Sequence, residues 1–371
     1  MSNVLYPGHS QLKLNGRYSF DHSAKRHHVG NVACKNRQAR ALQDLPNNVA
    51  VAAVHDSERR DPPRCHPETR LTVQGQILDW AQCDEETTPQ RRILWLSGPA
   101  GGGKTVIMDT VACKLKKRGT LAASFFFSSY SSFKACRIKD HFVTTLVYQL
   151  IRHESVGRIK CLKRKVLSLI QEEPSILEKS LKEQMEVLVL RPIRDCQVHL
   201  KCQPHHNCRL HSRCHSDSDC ECHFDCRSHS ACRAQSNSSQ APQVILVAGL
   251  DECGAISHHS VNDPNSFAAQ SSRQQDHLEI LSVLLCSVKD AACPFRITIA
   301  NRQEPGINRF FSSHERSSVH ISLDDRYNPD ADIALFLTAK FSQIRLRSPA
   351  RATILQTFPL IRGPVSLQDS L

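Results

Sequence analysis

Ile93-Leu94-Trp95-Leu96-Ser97-Gly98-Pro99-Ala100-Gly101-Gly102-Gly103-Lys104-Thr105 decides how the rest of the chain is read. A short apolar run enters a glycine-rich turn, and the turn ends on Lys-Thr. From Gly98 to Thr105 the residues fit the pattern G-x-x-x-x-G-K-[ST]. The chemistry asks for these residue types. Glycines let backbone N–H groups turn inward around phosphate oxygens. A lysine ammonium reaches the outer phosphates, and a threonine hydroxyl ligates Mg²⁺. A helix that starts at the lysine points its positive end at the anion. The expected nucleotide-binding residues are therefore Gly98, Pro99, Ala100, Gly101, Gly102, Gly103, Lys104 and Thr105, with Thr105 also the Mg²⁺ ligand.

Outward from this stretch the chain keeps an α/β rhythm. Strands are expected at 93–98, 121–128, 244–249 and 295–300, with a fifth at 319–323. Helices are expected at 71–80, 104–118, from Asp140 to Arg152, at 158–171, from a Ser175 cap to Leu190 before Pro192, at 277–288 and at 330–344. Lys116, Lys117 and Arg118 followed by Gly119 form the usual stop for the helix after the loop. Short strands without polar alternation, separated by helices, indicate a parallel sheet covered on both faces. The expected fold is thus an α/β P-loop NTPase with its sheet sandwiched by helices. Residues 1–60 read as a polar leader, with one helix over 36–55.

Composition narrows the function classes. The chain has 371 residues, 40% of them hydrophobic, which is enough for a real core. No apolar run reaches membrane-spanning length, and the N-terminus has no apolar secretion segment. A cytoplasmic setting is expected. The net charge is +12, and residues 114–165 hold 13 Lys/Arg against two acids, so one block carries nearly all of it. That block lacks interleaved aromatics. It is read as a solvated basic face, with no specific nucleic acid expected as partner.

Eight of the 17 cysteines lie between Cys196 and Cys232, and seven of these recur every six residues. Histidine follows three residues later in five units (His199, His205, His211, His223 and His229). Thiolate and imidazole are zinc ligands, but uniform spacing offers many competing geometries and no apolar companion. Residues 195–240 are read as a disordered, Cys/His-rich repeat insert, with zinc binding as the alternative. The pair Cys65-His66 is read as structural.

A P-loop NTPase holds the Mg²⁺ water shell with an acid at the end of a neighbouring strand. Val244-Ile245-Leu246-Val247-Ala248-Gly249-Leu250-Asp251-Glu252-Cys253 is the candidate stretch. Together with DPPRCHPETR (61–70), LAASFFFS (121–128), TTLVYQL (144–150), Gln184 to Pro192, ITIANRQEPGI (297–307) and DIALFL with Phe341 and Ile344, it resembles the NACHT class of STAND NTPases. The likeness is to fungal proteins with a nephrocystin-like N-terminal NTPase domain, over about residues 50–345. The resemblance implies a nucleotide-gated switch that binds ATP or GTP with Mg²⁺ and self-associates with other STAND proteins. It places a phosphate-sensing arginine at Arg302 and a nucleotide clasp at Thr69-Arg70.

The sequence departs from the family at Ala248, where the pattern has the Mg²⁺-organising aspartate. Asp251 and Glu252 remain, and Glu252 is the better candidate for orienting an attacking water. The expected catalytic residues are Glu252, Asp251 and Arg302. Hydrolysis is expected to be slow or absent while binding survives. The NTPase-like domain is expected to span 61–345. Residues 346–371 match none of the family's later elements and are read as an atypical tail of a truncated product. The alternatives carried are a non-enzymatic interaction or decoy fragment, and a metal-binding protein built on the insert.

Overall fold

The computed structural model describes residues 45–57, 64–83, 91–153, 157–200, 242–254 and 266–347. Most of the expected leader, the Cys/His repeat from 201 to 241, and the tail beyond 347 lie outside the described residues.

Five strands form one parallel sheet: β1 (Ile93–Gly98), β2 (Leu121–Phe126), β3 (Gln243–Ala248), β4 (Phe295–Arg302) and β5 (Ser318–Ser322). Their order is β2-β3-β4-β1-β5. The first and second halves of the chain thus build one sheet across the Cys/His segment. Strands β1 to β4 are buried on both faces, as their apolar sequences require, whereas β5 at the edge is partly exposed. Ile93 and Trp95, Ile245 and Val247, and Ile297 and Ile299 pack into one core. Their alternates Leu94, Leu96, Val244, Leu246 and Ala248 pack into the other.

The second core is closed by α1 (Leu71–Gln82) and α2 (Lys104–Lys117). Helix α2 buries Ile107, Met108, Val111 and Leu115 at helical spacing, each worth about 1.5–3 kcal/mol of burial. Buried Arg296 of β4 donates to the carbonyls of Trp80 (3.0 Å) and Cys83 (2.7 Å), capping the end of α1.

The first core is closed by α3 (Phe142–Leu150), α4 (Gly157–Glu172), α5 (Leu181–Met185), α6 (Arg191–Leu200), α7 (Ser266–Lys289) and α8 (Pro305–Ser312). A last helix, α9 (Pro329–Arg347), follows β5. Leu45, Val49, Ala50 and Ala53 join the first core. Their segment is fastened by Ala50 N–H to Thr145 Oγ1 (2.9 Å) and by Thr144 Oγ1 to the Asn48 carbonyl.

Several local expectations are corrected. The described part of 36–55 is two short 3-10 turns, Leu45–Asn48 and Val51–Ala53, because packing on α3 replaces a regular helix. Asp140 caps nothing, as α3 begins after His141 without a side-chain cap. Ser180 rather than Ser175 caps the helix at 181, accepting the Glu183 N–H at 3.3 Å. Pro192 does not end that helix. A π turn over Glu186–Leu190 widens it, which accommodates the missing proline N–H, and α6 continues. Arg194 braces the turn by holding Glu186 (2.6 and 3.0 Å) and Asp290 (2.6 and 2.9 Å). Cys196, counted with the repeat, is a buried core residue of α6.

The basic block is compensated in part by acids from elsewhere in the chain. Lys116 pairs with Asp56, Lys139 with Asp276 (2.7 Å) and Glu279 (2.5 Å), and Lys165 with Asp195 (3.1 Å).

Candidate functional site

In a parallel sheet, all strands end at one edge, and ligands of open α/β sheets bind there. The ends of β1, β3 and β4 carry the residues singled out by sequence. Gly98 aligns with Arg302, and Ala248 with Ala300.

The turn from Gly98 to Thr105 links β1 to α2. Gly101 and Gly103 adopt the left-handed region, with φ of 76° and 81°. A Cβ at either would meet nothing within 4 Å, so backbone conformation rather than space demands glycine there. Gly98 is different, since a Cβ would lie 2.8 Å from the Leu323 Cβ. Gly103 caps α2, so the first N–H groups of the helix have no intrahelical partner. The Lys104 ammonium folds back to donate to the carbonyls of Gly98 (2.9 Å) and Pro99 (2.7 Å). Burial lowers its pKa. The charges of Asp251 and Glu252 oppose the shift, and that of Arg302 adds to it. The loop, the turn after β3 and the end of β4 thus share one electrostatic site.

Beyond β3 the chain turns at Gly249 (φ 71°) into a 3-10 turn, Leu250–Glu252. Asp251 is 3% exposed and faces Arg302, accepting its backbone N–H at 2.9 Å, with the guanidinium Nε at 3.4 Å. Glu252 Oε2 accepts from the N–H (2.8 Å) and hydroxyl (2.9 Å) of Ser129, after β2. Arg273 of α7 donates to the Asp251 carbonyl (2.5 Å) and reaches Glu304 at 3.5 Å. Ser129 and Arg273 lacked a sequence signal, because each enters from a distant element.

One sequence expectation is corrected by the sheet order. Strand β3 is not the neighbour of β1, since β4 lies between them. Ala248 nevertheless packs in the core on the side of α2. Its methyl group provides no oxygen to a metal-bound water. Asp251, the acid closest to it along the chain, is committed to Arg302.

Ahead of α1, Arg70 (φ 55°) points its guanidinium at the Gly102 carbonyl of the loop, 3.5 Å away. It also holds Asp332 of α9, through its backbone N–H (3.2 Å) and Nε (3.4 Å). Thr69 is turned inward, its hydroxyl donating to the His66 carbonyl (2.8 Å). Cys65 is tied by its N–H to Thr110 of α2 (3.0 Å), and burial pushes its thiol pKa up. His66 Nδ1 lies 2.8 Å from the Pro67 carbonyl.

The comparison with known families falls on this half of the molecule. The family model for the N-terminal region of nephrocystin 3 matches residues 70–201. That is a nephrocystin-like region from Arg70 to the end of α6, and it contains the loop at 98–105. It stops where the Cys/His segment begins. It covers little more than a third of the chain, less than the span over which the sequence resemblance was drawn, and excludes β3, β4 and their acids. No curated protein matches the chain. Among the described residues, no helix is long and apolar enough to cross a membrane.

Proposed function

We propose that the chain is a nucleotide-binding switch module of the NACHT/STAND kind, with impaired hydrolysis. The observation that supports it most is the convergence of the loop with the ends of β3 and β4. Lys104, Asp251, Glu252 and Arg302 come from three separate elements into one electrostatic neighbourhood. The left-handed glycines, the open space above them and the start of α2 suit an anionic phosphate. ATP or GTP would be held by Gly98 to Thr105, and it would supply the phosphoanhydride whose state the switch senses.

The donor set suits Mg²⁺ only in part. Thr105 offers a hydroxyl, whereas Ala248 offers nothing and Asp251 is occupied by Arg302. Binding is therefore expected to outlast hydrolysis. Glu252 turns its second oxygen toward the Arg302 guanidinium (4.0 Å), a long contact, and is 18% exposed, which makes it the acid best able to orient a water. Arg302 is 45% exposed and leaves Asp251 most readily when a phosphate competes for it.

A fluorescent ATP analogue tests this reading on the purified chain. Lys104→Ala is expected to weaken binding by about 10- to 100-fold, the loss of one charge-assisted hydrogen bond. Equal affinity in wild type and variant would sink it. A second reading, association with partner proteins without catalysis, draws on α9. That helix leaves Ile333, Phe336, Phe341 and Ile344 exposed.

A further inference from the structure

Helix α9 is held to the rest of the molecule along one side. Asp332 accepts from the Arg70 backbone N–H (3.2 Å) and lies 3.4 Å from its Nε. One turn on, Phe336 meets the His66 ring edge-to-face, with centroids 6.0 Å apart. Just ahead of the helix, the Tyr327 hydroxyl donates to Gln76 Oε1 (2.8 Å). All three ties go to the stretch from His66 to Gln76. Among the described side chains of α9, none is buried.

The face turned away from these ties is apolar. Ile333, Leu337, Phe341 and Ile344 lie within about 80° of one another around the helix. Ile333, Phe341 and Ile344 are 43–53% exposed, and Leu337 is half-buried. A continuous apolar stripe of this kind marks an interaction site. Its spacing is nearly the same read from either end, with steps of four, four and three residues. Two copies of α9 laid antiparallel, with Ile333 beside Ile344, therefore also bring Leu337 beside Phe341. A two-fold axis makes each of these contacts twice. The charges run the same way. In sequence α9 opens on Asp330 and Asp332 and closes on Arg345 and Arg347, and the antiparallel register brings Asp330 level with Arg347 of the other copy. The two helix dipoles then oppose each other, which is favourable, whereas a parallel pair sets like ends together.

We propose that α9 is a dimerisation helix, pairing antiparallel with α9 of a second copy of this chain through Ile333, Leu337, Phe341 and Ile344. The pairing rests on the second reading above, to which it gives a partner, and not on the nucleotide. One helix pair is smaller than a standard interface, so the dimer is weak and reversible.

Light scattering on the reduced full chain is expected to show dimer at roughly 100 μM. Ile333→Glu and Ile344→Lys are each expected to weaken it at least about tenfold, because a charge enters the apolar seam twice. Mixed in equal amounts, the two variants are expected to associate more tightly than either alone, since the antiparallel register sets the new carboxylate beside the new ammonium. A benzophenone side chain in place of Phe341 gives a second test in an otherwise unaltered chain. Irradiation is expected to yield a covalent dimer linked at the peptide that carries Leu337. A monomer at this concentration with no linked product, or a mixture no tighter than its parts, overturns the pairing alone. A link to residues 348–371 of the same chain overturns the second reading along with it. The ATP analogue decides the nucleotide reading separately.

Discussion

Arg302 and Asp251 are joined twice, by the Arg302 backbone N–H at 2.9 Å from Asp251 Oδ1 and by its guanidinium Nε at 3.4 Å from Oδ2. The residues are 51 apart in sequence, yet the carboxylate welds the turn after β3 to the end of β4. The backbone bond is the stronger tie, because the guanidinium is half in water and screened.

Asp251→Ala leaves that N–H without its acceptor in a buried place. It is expected to cost about 1–3 kcal/mol of stability. Asp251→Asn keeps an oxygen at the same point and is expected to recover about half of the loss or more. Urea unfolding of the three proteins checks this, and equal losses for Ala and Asn contradict the role given to the backbone bond.

Ala248→Asp returns a carboxylate to the β3 end on the side of α2. Phosphate release is expected to rise at least about tenfold, the scale of one well-placed electrostatic group. Stability is expected to fall by about 1–3 kcal/mol, because the new side chain enters an apolar core. Unchanged turnover, measured beside a thermal melt, removes Ala248 from the proposed account of impaired hydrolysis.

Gly249 has φ 71°, and a Cβ there would lie 2.6 Å from the Phe127 carbonyl oxygen. Gly249→Ala combines a left-handed strain of about 1–2 kcal/mol with a backbone clash. The expected outcome is a loss of at least about 2 kcal/mol together with weaker nucleotide binding, since the turn carries Asp251 and Glu252. Gly75→Ala is the control, since a Cβ there meets nothing within 4 Å. It lies inside α1 and is expected to be neutral or mildly stabilising. Equal stability for Gly249→Ala and the control refutes the strain argument.

His277 is buried in α7 with Nε2 3.1 Å from the Cys253 carbonyl. Burial lowers its pKa from 6.5 and outweighs the raising effect of that bond. In this range the unfolded chain binds more protons than the folded one, so stability rises with pH. The contribution is complete above about pH 6.5 and is lost as pH falls through the lower folded value. His277→Gln keeps a donor and does not titrate. Between about pH 7.5 and about pH 5.5 its urea midpoint is expected to fall less than that of the wild type. Parallel losses exclude His277 as a source of the acid sensitivity.

The sequence alone determined the strands and the loop. Ile93–Gly98 could be read because a strand buried on both faces is a continuous apolar run. The loop could be read because left-handed turns at Gly101 and Gly103 demand glycine locally. Helix α2 was legible from its apolar spacing and its Lys-Arg-Gly end. Only the tertiary structure placed β4 between β1 and β3, since strand order depends on which apolar faces pack together across the chain. For the same reason it alone paired Asp251 with Arg302, Glu252 with Ser129, and Arg70 with Asp332. It alone carried the helix past Pro192 through a π turn, and stacked Trp95 between Phe311 and His320. Local pattern reports what a segment prefers. The partners of a buried charge or ring follow from distant segments that meet once the two cores have closed.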